Sequence, residues 1–269
     1  LRLSYSSIGG KKFSELLAEI LRRNLTLEEL IIDGNDIGDQ GTILLAEALK
    51  LNSVLSSLDI SKNIIRDRGL EALSIALKTN SSLKSLNVGE NEFNSKGTKA
   101  LVEALKVNST LVELKIRGRE MRSVCIPKLP KYFAEVLRVN KSLASFDIGG
   151  NTCVQGIEDF AEALKNNYSL THLYLDSNNM NEYEINCLAD ALQINTTLRH
   201  LDVSMNFFGD SRKAVLLLSD ALKVNKSLTF LNIADNDMGP AESVELFKTL
   251  STNTSLKGLD ISYNLLHGS

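Results

Sequence analysis

The sequence lacks several features that mark common classes of protein. Its 269 residues include no tryptophan and only three prolines, three cysteines and three histidines. No apolar run approaches the roughly 18 residues that cross a bilayer, so membrane insertion is not expected. The net charge of −3 gives no electrostatic reason to expect nucleic acid as a partner.

The cysteines, Cys125, Cys153 and Cys187, are odd in number and lack CxxC spacing. They are therefore interpreted as free thiols in a reducing compartment, and a cytoplasmic location is expected. No signal peptide is visible, and the chain begins at Leu1 without a methionine, which is compatible with a segment upstream.

Motifs for catalysis are also lacking. No histidine lies in a recognisable nucleophile motif, and there is no glycine-rich phosphate loop and no HExxH. We therefore expect neither an enzyme nor a cofactor.

What the sequence does contain is a repeat. The pattern LxxLxLxxN opens at Leu27, Leu55, Leu83, Leu111, Leu143, Leu170, Leu198, Leu228 and Leu256. We predict a single domain over 1–269 with a period of about 28 residues. Its units are a partial repeat 1–26, repeats 27–54, 55–82, 83–110, 111–142, 143–169, 170–197, 198–227 and 228–255, and a partial repeat 256–269.

Each repeat has two halves. Alternating segments such as LDI at 58–60 predict a short strand with one buried face. Segments such as GLEALSIALKTN at 69–80 place apolar residues at helical spacing. Neither half can bury its apolar face alone, so stacked repeats predict a parallel sheet lined on one side by helices. The asparagine that ends each helix, such as Asn80, predicts a left-handed helix stop.

A second asparagine follows each strand. These residues are Asn35, Asn63, Asn91, Asn151, Asn178, Asn206, Asn236 and Asn264. We expect their buried amides to bond to the backbone of their own and the next repeat, because an unpaired buried polar group is costly.

This pattern resembles the leucine-rich repeat family, and its period and full helix resemble the ribonuclease-inhibitor-like subclass. The resemblance implies an α/β solenoid, a horseshoe with the sheet on its concave face. It also implies a non-enzymatic module that binds a protein partner, within a larger intracellular sensor or scaffold. Two alternatives are a small-GTPase regulator resembling the Ran GTPase-activating protein and an actin binder resembling tropomodulin.

The repeat also predicts which side chains line the concave face. Of the positions flanking the strand leucines, eight are acidic and two are basic, so the expected partner is a protein of basic or mixed charge. Tyr174 and Phe230 are the expected hydrophobic anchors. The predicted contact residues are Glu29, Asp33, Asp59, Glu113, Lys115, Arg117, Asp147, His172, Tyr174, Asp176, His200, Asp202, Phe230, Asn232 and Asp260.

Two of these residues, His172 and His200, occupy the same column of adjacent strands, roughly 5 Å apart in parallel register. With Asp176 or Asp202 they could bind a metal or sense pH. The alternative is a pair of exposed imidazoles on a polar sheet. We favour the second interpretation and predict no metal site.

The stretch KIRGREMRS at 115–123 breaks the repeat, because Arg119 replaces the asparagine that follows the strand. Arginine cannot accept a hydrogen bond, so a distorted turn and a basic patch are predicted. Arg119 and Arg122 are candidate rim contacts, although the four extra residues of 111–142 are equally compatible with a tolerated insertion. Repeat 198–227 carries two extra residues with the same two interpretations.

Eight N-x-S/T sequons have a shared phase, three residues before an opening leucine. They begin at Asn24, Asn80, Asn108, Asn140, Asn167, Asn195, Asn225 and Asn253. Singly, each is a glycosylation acceptor. The shared phase favours an architectural origin instead.

Overall fold

In a computed structural model, the described residues are 1–119, 126, 128–152, 154–208 and 212–266. The chain forms two compact units. Unit 1 comprises Leu1–Pro127 and Val139–Leu143, and unit 2 comprises Lys128–Arg138 and Ala144–Ser269.

Unit 1 alternates helices and three-residue strands. Its described elements are α1 (Lys11–Arg23), β1 (Glu29–Ile31), α2 (Gly38–Leu49), β2 (Ser57–Asp59), α3 (Asp67–Leu77), β3 (Ser85–Asn87), α4 (Ser95–Leu105) and β4 (Glu113–Lys115). The four strands pair in sequence order and in parallel, so that Leu30, Leu58, Leu86 and Leu114 are in register.

Unit 2 continues the alternation. Its described elements are α5 (Leu129–Val139), β5 (Ser145–Asp147), α6 (Ile157–Lys165), β6 (His172–Tyr174), α7 (Glu182–Ile194), β7 (His200–Asp202), α8 (Arg212–Val224), β8 (Phe230–Asn232), α9 (Pro240–Leu250) and β9 (Gly258–Asp260). These five strands also pair in parallel and in sequence order. The predicted α/β leucine-rich repeat arrangement is confirmed.

The core lies between each sheet and its helices. The middle residue of each strand from β1 to β8 is buried, as for Leu58 and Leu86, and so are the helix residues Leu70 and Leu77. In unit 2, the middle position of β5 is Phe146, whose ring centroid lies 4.5 Å from that of Phe133 on α5. The two halves of the repeat therefore bury each other, as the apolar spacing predicts.

The asparagine that follows each strand forms a ladder. Asn63 Oδ1 accepts the backbone N–H groups of Asn35 and Ile37, and its Nδ2 donates to the carbonyls of Ile32 and Ser61. The predicted use of the buried amide is correct, but the neighbouring partner is the preceding repeat rather than the next one. The direction follows from the turn, which places the preceding repeat's N–H groups against the amide oxygen.

The asparagines that end the helices do not adopt the predicted left-handed conformation. Asn24 and Asn195 are extended, with φ of −80° and −66°. The reason is a second ladder. Asn195 Nδ2 donates to the carbonyl of Leu164 at the end of the preceding helix, and its Oδ1 accepts the N–H of Leu198. Left-handed residues occur instead beside the first ladder, for example Lys62 and Ile64.

The second ladder also explains the phase of the sequons. In each of them the asparagine Oδ1 accepts the N–H three residues later, which belongs to the leucine that opens the next repeat. The spacing is therefore the span of one hydrogen-bonded turn.

Aspartates of one repeat cap the helix of the following repeat. Asp39 Oδ1 accepts the N–H groups of Arg66 and Gly69, at the start of α3. Asp67 Oδ1 does the same for Asn94 and Gly97, at the start of α4. Carboxylates are favourable at helix N-termini, where backbone N–H groups lack partners within the helix.

Within the described ranges, no helix has the length and apolar character needed to cross a membrane. Among the described cysteines, Cys187 is a free, half-buried thiol. Burial raises the pKa of this thiol above its ordinary value of 9.0. Cys125 and Cys153 lie outside the described residues.

Candidate protein-binding face

We use the term strand face for the first and third residues of each strand, which lie on the side of the sheet opposite the helices. These side chains are at least partly exposed throughout both units, while the residue between them is buried in β1 to β8. The alternation follows from the pleat of an extended chain. The strand face contains most of the predicted contact residues.

The position two residues after each strand is less accessible than predicted. Asp176 retains only 7% exposure, as do Ser61 and Ser204. The prediction that Asp176 is exposed is therefore wrong. The chain turns away immediately after the strand, and the backbone of this position is held by the neighbouring repeat, as in the bond from Gly150 N–H to Asp176 O. Asp33 and Arg117, at the same position in unit 1, remain half-buried.

Aspartates of the strand face have a role within the chain. Asp59, Asp147, Asp202 and Asp260 each accept, through Oδ1, the backbone N–H of the residue two positions later. This is a turn in which a side-chain carboxylate replaces a backbone acceptor. The hydrogen bonds from Ser262 lower the pKa of Asp260 below its ordinary value of 3.8. Part of the acidic character of the face therefore has a structural origin.

On three adjacent strands of unit 2, three rings each contact the ring of His200, and we call the four the ring cluster: His172, Tyr174, His200 and Phe230. The centroid of His200 lies 5.5 Å from that of His172, 4.9 Å from that of Tyr174 and 4.5 Å from that of Phe230. The rings of His200 and Phe230 are stacked, with an angle of 11° between their planes. The predicted proximity of the two histidines is confirmed.

A glycine accommodates the ring of Phe230. Gly258 occupies the matching position on β9, in register with Phe230. A Cβ atom at Gly258 would lie 2.7 Å from Phe230 Cδ2, which is too close for any real side chain. The ring therefore extends across the space that a side chain would fill. The alignment of Gly258 with Phe230 in consecutive repeats was a usable sequence signal for this arrangement.

The environment of His200 favours its neutral form. Burial lowers the pKa of His200 below its ordinary value of 6.5, and the neighbouring His172 lowers it further, while Asp202 acts in the opposite direction. The central ring of the cluster is therefore uncharged at neutral pH. The described residues contain no group of three or more His, Cys, Asp and Glu side chains suited to a metal ion.

Three charged residues on the strand face of unit 1, Glu29, Glu113 and Lys115, form ion pairs within the chain. Glu113 accepts a hydrogen bond from Ser85 Oγ and lies 3.0 Å from Lys115 Nζ. Glu29 forms an exposed ion pair with Arg2 at 3.4 Å. Exposed pairs of this kind contribute little to stability. These pairs do partly neutralise the charges that would attract a charged partner to this part of the strand face.

Arg119 occupies the first ladder but supplies only donors. Its Nε donates to the carbonyl of Glu90, and Nη1 lies 3.5 Å from Glu92 Oε1. The hydrogen-bond acceptor is therefore absent at this position, as expected, and the Arg119 side chain donates a hydrogen bond to the backbone instead. The distorted turn, the basic patch around Arg122 and the rest of 120–125 lie outside the described residues, as does most of the insertion near 209–211.

Comparison with known proteins agrees with this architecture. A family model of the leucine-rich repeat matches residues 23–46, 51–74, 79–102, 195–211 and 224–241. The match confirms the predicted leucine-rich repeat pattern in these five segments. No curated protein matches the sequence significantly.

Three solved structures are among those similar to the chain. Internalin C2 of Listeria monocytogenes has 18% identity and a TM-score of 0.50, covering 83% of this chain and 76% of its own. The tropomodulin C-terminal domain of Caenorhabditis elegans has 22% identity and a TM-score of 0.48, covering 58% and 93%. Actin-binding site 2 of leiomodin-1 has 28% identity and a TM-score of 0.45, covering 49% and 76%. The internalin similarity supports the fold alone.

Proposed function

We propose that this chain is a non-enzymatic recognition module that binds a protein partner on the strand face of unit 2. The observation that carries the proposal is the ring cluster, in which three rings contact His200 and all four remain partly exposed. Rings already held in place lose little conformational freedom on binding. Aromatic side chains of this kind are frequent energetic centres of interfaces.

The proposed partner presents basic or mixed charge. The strand-face positions of β5 to β9 are all described, and their carboxylic acid side chains are Asp147, Asp202 and Asp260. Complementary charge speeds association and disfavours wrong partners. The remaining predicted contacts, including Glu29, Glu113 and Lys115, form a second part of the proposal in unit 1. A cytoplasmic location is part of the same proposal.

The test is capture of partners from a lysate of the source, followed by identification. Wild-type protein is compared with Phe230→Ala, which removes one ring of the cluster. The matched control is Phe247→Ala on α9, where the phenylalanine is 49% exposed but lies on a helix. We expect a partner that is lost with Phe230→Ala and retained with Phe247→Ala. Equal recovery with both variants would refute the proposal.

Ring variants are preferable to charge reversal. Replacing Asp147 and Asp202 by lysine would also remove the acceptors for the Gly149 and Ser204 N–H groups, and Asp176 is buried. Loss of binding after such changes would not separate an unfolded turn from a lost contact. Phe230 has no polar group, so its replacement leaves the hydrogen bonds of the turns intact.

The two alternative functions have direct assays. A small-GTPase regulator would accelerate GTP hydrolysis by one member of a panel of small GTPases, and an actin binder would sediment with actin filaments. The similar region of leiomodin-1 is an actin-binding site, which is a property of that protein. A positive result in either assay would replace the present proposal with that function.

A further inference from the structure

Deepening the proposed function and resting on it, we propose that the ring cluster and its flanking carboxylates form a seat for an arginine side chain of the partner. We call this arrangement the arginine seat: the rings of Tyr174, His200 and Phe230 together with Asp147 and Asp202. The inference concerns unit 2 alone.

The positions of the carboxylates are set by the strand register. Asp147 is paired with Tyr174 on one side, and Asp202 is paired with Tyr174 on the other. Neighbouring strands lie about 4.8 Å apart, so Tyr174 has a carboxylate on each side at the distance of one strand. Asp202 also lies two residues after His200 on the same face of its strand, which places it beside the central ring.

The rings provide a surface for a cation. A cation is attracted to the face of an aromatic ring when it lies within about 6 Å of the ring centre. His200 is itself stacked between His172 and Phe230, so the cation contacts the inclined ring of Tyr174 and the side of Phe230 that faces Gly258. The lowered pKa of His200 favours this arrangement, because a charged imidazole beside the two rings would repel the incoming cation.

The carboxylates explain why the occupant is a cation rather than an apolar group. A partner that covers the rings also removes water from Asp202, and an ionised carboxylate without compensation is costly to bury. A carboxylate can accept about four hydrogen bonds. Within the chain, Asp202 receives bonds from Ser204 N–H, Ser204 Oγ and Asn232 Nδ2. An incoming donor can therefore use its remaining capacity.

Arginine fits both parts of the seat better than lysine does. The guanidinium group is planar, stacks on ring faces and presents several N–H donors at its edge. A single group can thus contact a ring through its face and a carboxylate through its edge. An ammonium group is compact and strongly hydrated, so it satisfies one contact at a time.

The test uses the whole chain and a capped Gly-Arg-Gly peptide as the probe. Histidine ring signals are followed by NMR at pH 7.5 and assigned with His172→Gln and His200→Gln. We expect saturable shifts of both signals with the arginine peptide. The matching peptide with citrulline, which has the same shape without the charge, should bind at least about tenfold more weakly, and so should the lysine peptide.

Variants of the seat sharpen the test. Asp202→Asn keeps a side-chain oxygen for the Ser204 N–H but removes the charge, and Phe230→Leu keeps apolar volume but removes the ring. Each should weaken the arginine peptide at least about tenfold. The control is Asn87→Ala, because Asn87 Oδ1 accepts the Gly89 N–H in the same kind of turn without rings beside it. This control should leave binding unchanged and measure any cost of altering the turn.

The possible outcomes separate the two proposals. Absence of shifts, equal binding of the citrulline or lysine peptide, or unchanged binding by Asp202→Asn would overturn the arginine seat. If Phe230→Ala still abolishes capture of a protein partner in that case, the recognition function survives and only the arginine inference fails. If the arginine peptide binds as expected but no captured protein depends on Phe230, the proposed function fails and the seat remains.

Discussion

At the scale of the residue, one side chain on the strand face often has two roles. Asp202 completes a turn through Oδ1 and contacts Asn232 through Oδ2, and it also contributes charge to the face. Asp59 has the same bonds in unit 1. A count of charges assigns such aspartates to a binding surface. It does not reveal the hydrogen bond that each of them accepts from the residue two positions later.

The protonation of His200 predicts a dependence of stability on pH. Its pKa in the folded chain is lower than the ordinary value of about 6.5, so the unfolded chain binds the proton more readily. The stabilisation is present above pH 6.5 and is lost as the pH falls through the folded pKa. We expect the free energy of unfolding to fall more steeply between pH 7.5 and 5 in the wild type than in His200→Phe, measured by urea denaturation. Equal slopes would contradict this assignment.

Replacing Arg119 by asparagine is predicted to increase the stability of the protein slightly. Asparagine there would restore an acceptor to the first ladder, but it would lose the bond from Arg119 Nε to the Glu90 carbonyl. We expect Arg119→Asn to raise the free energy of unfolding by less than about 1 kcal/mol in chemical denaturation. A decrease of more than about 1 kcal/mol would show that the arginine has a structural role beyond these contacts.

At the scale of the element, the strands and helices are joined by polar side chains at their ends. The first ladder fastens the turns after the strands, the second fastens the ends of the helices, and Asp39 and Asp67 cap the helices of the following repeats. The sequence predicts a left-handed helix stop in place of the second ladder, and only the first asparagine ladder could be anticipated from the repeat. The caps could not, because they join side chains and backbone groups that are about 27 residues apart in the chain.

Asn63 provides a test of the first ladder. Its side chain is fully buried and makes four hydrogen bonds to the backbone, all of which Asn63→Ala removes. We expect the free energy of unfolding to fall by about 2–4 kcal/mol, because buried backbone groups lose their partners. Asn94→Ala is the control, since Asn94 is exposed and makes no side-chain cap. Similar losses in the two variants would contradict the ladder's importance.

Asp67 provides a test of the caps between repeats. Asp67→Ala should destabilise the protein by about 1–2 kcal/mol, which is typical of a lost helix cap. Asp67→Asn retains the Oδ1 acceptor for Asn94 and Gly97 and should lose less. Thermal denaturation of both variants, with the exposed Asp190→Ala of α7 as a control, measures the difference. A loss from Asp67→Ala no greater than that from Asp190→Ala would exclude the capping role.

At the scale of the whole molecule, the repeat explains sequence motifs that resemble glycosylation signals. Six sequon asparagines, from Asn80 to Asn225, retain at most 6% exposure. Their Nδ2 atoms, to which a glycan would be attached, donate to carbonyls of the preceding repeat, as in the bond from Asn80 to Leu49. The sequons therefore recur because the asparagine of each repeat makes the same hydrogen bond.

This arrangement predicts that the folded protein carries no glycan at these positions. Treatment of protein from its native source with an N-glycosidase should leave its mass unchanged by intact mass spectrometry. A glycoprotein treated in parallel verifies the enzyme. A decrease in mass would show that at least one sequon is modified, and the part-buried Asn24 and Asn253 would then be the first positions to examine.

The sequence by itself determined the repeats, the strand and helix of each, and the side chains that face the core, because apolar periodicity and a recurring asparagine are local properties. It also placed His172 beside His200, since equal repeat lengths impose the register. Only the tertiary structure decided that Asp176 is buried, that helix-ending asparagines are extended, and that His200, Tyr174 and Phe230 form a cluster over Gly258. These outcomes depend on side-chain packing and hydrogen bonds between neighbouring repeats, which no single repeat contains.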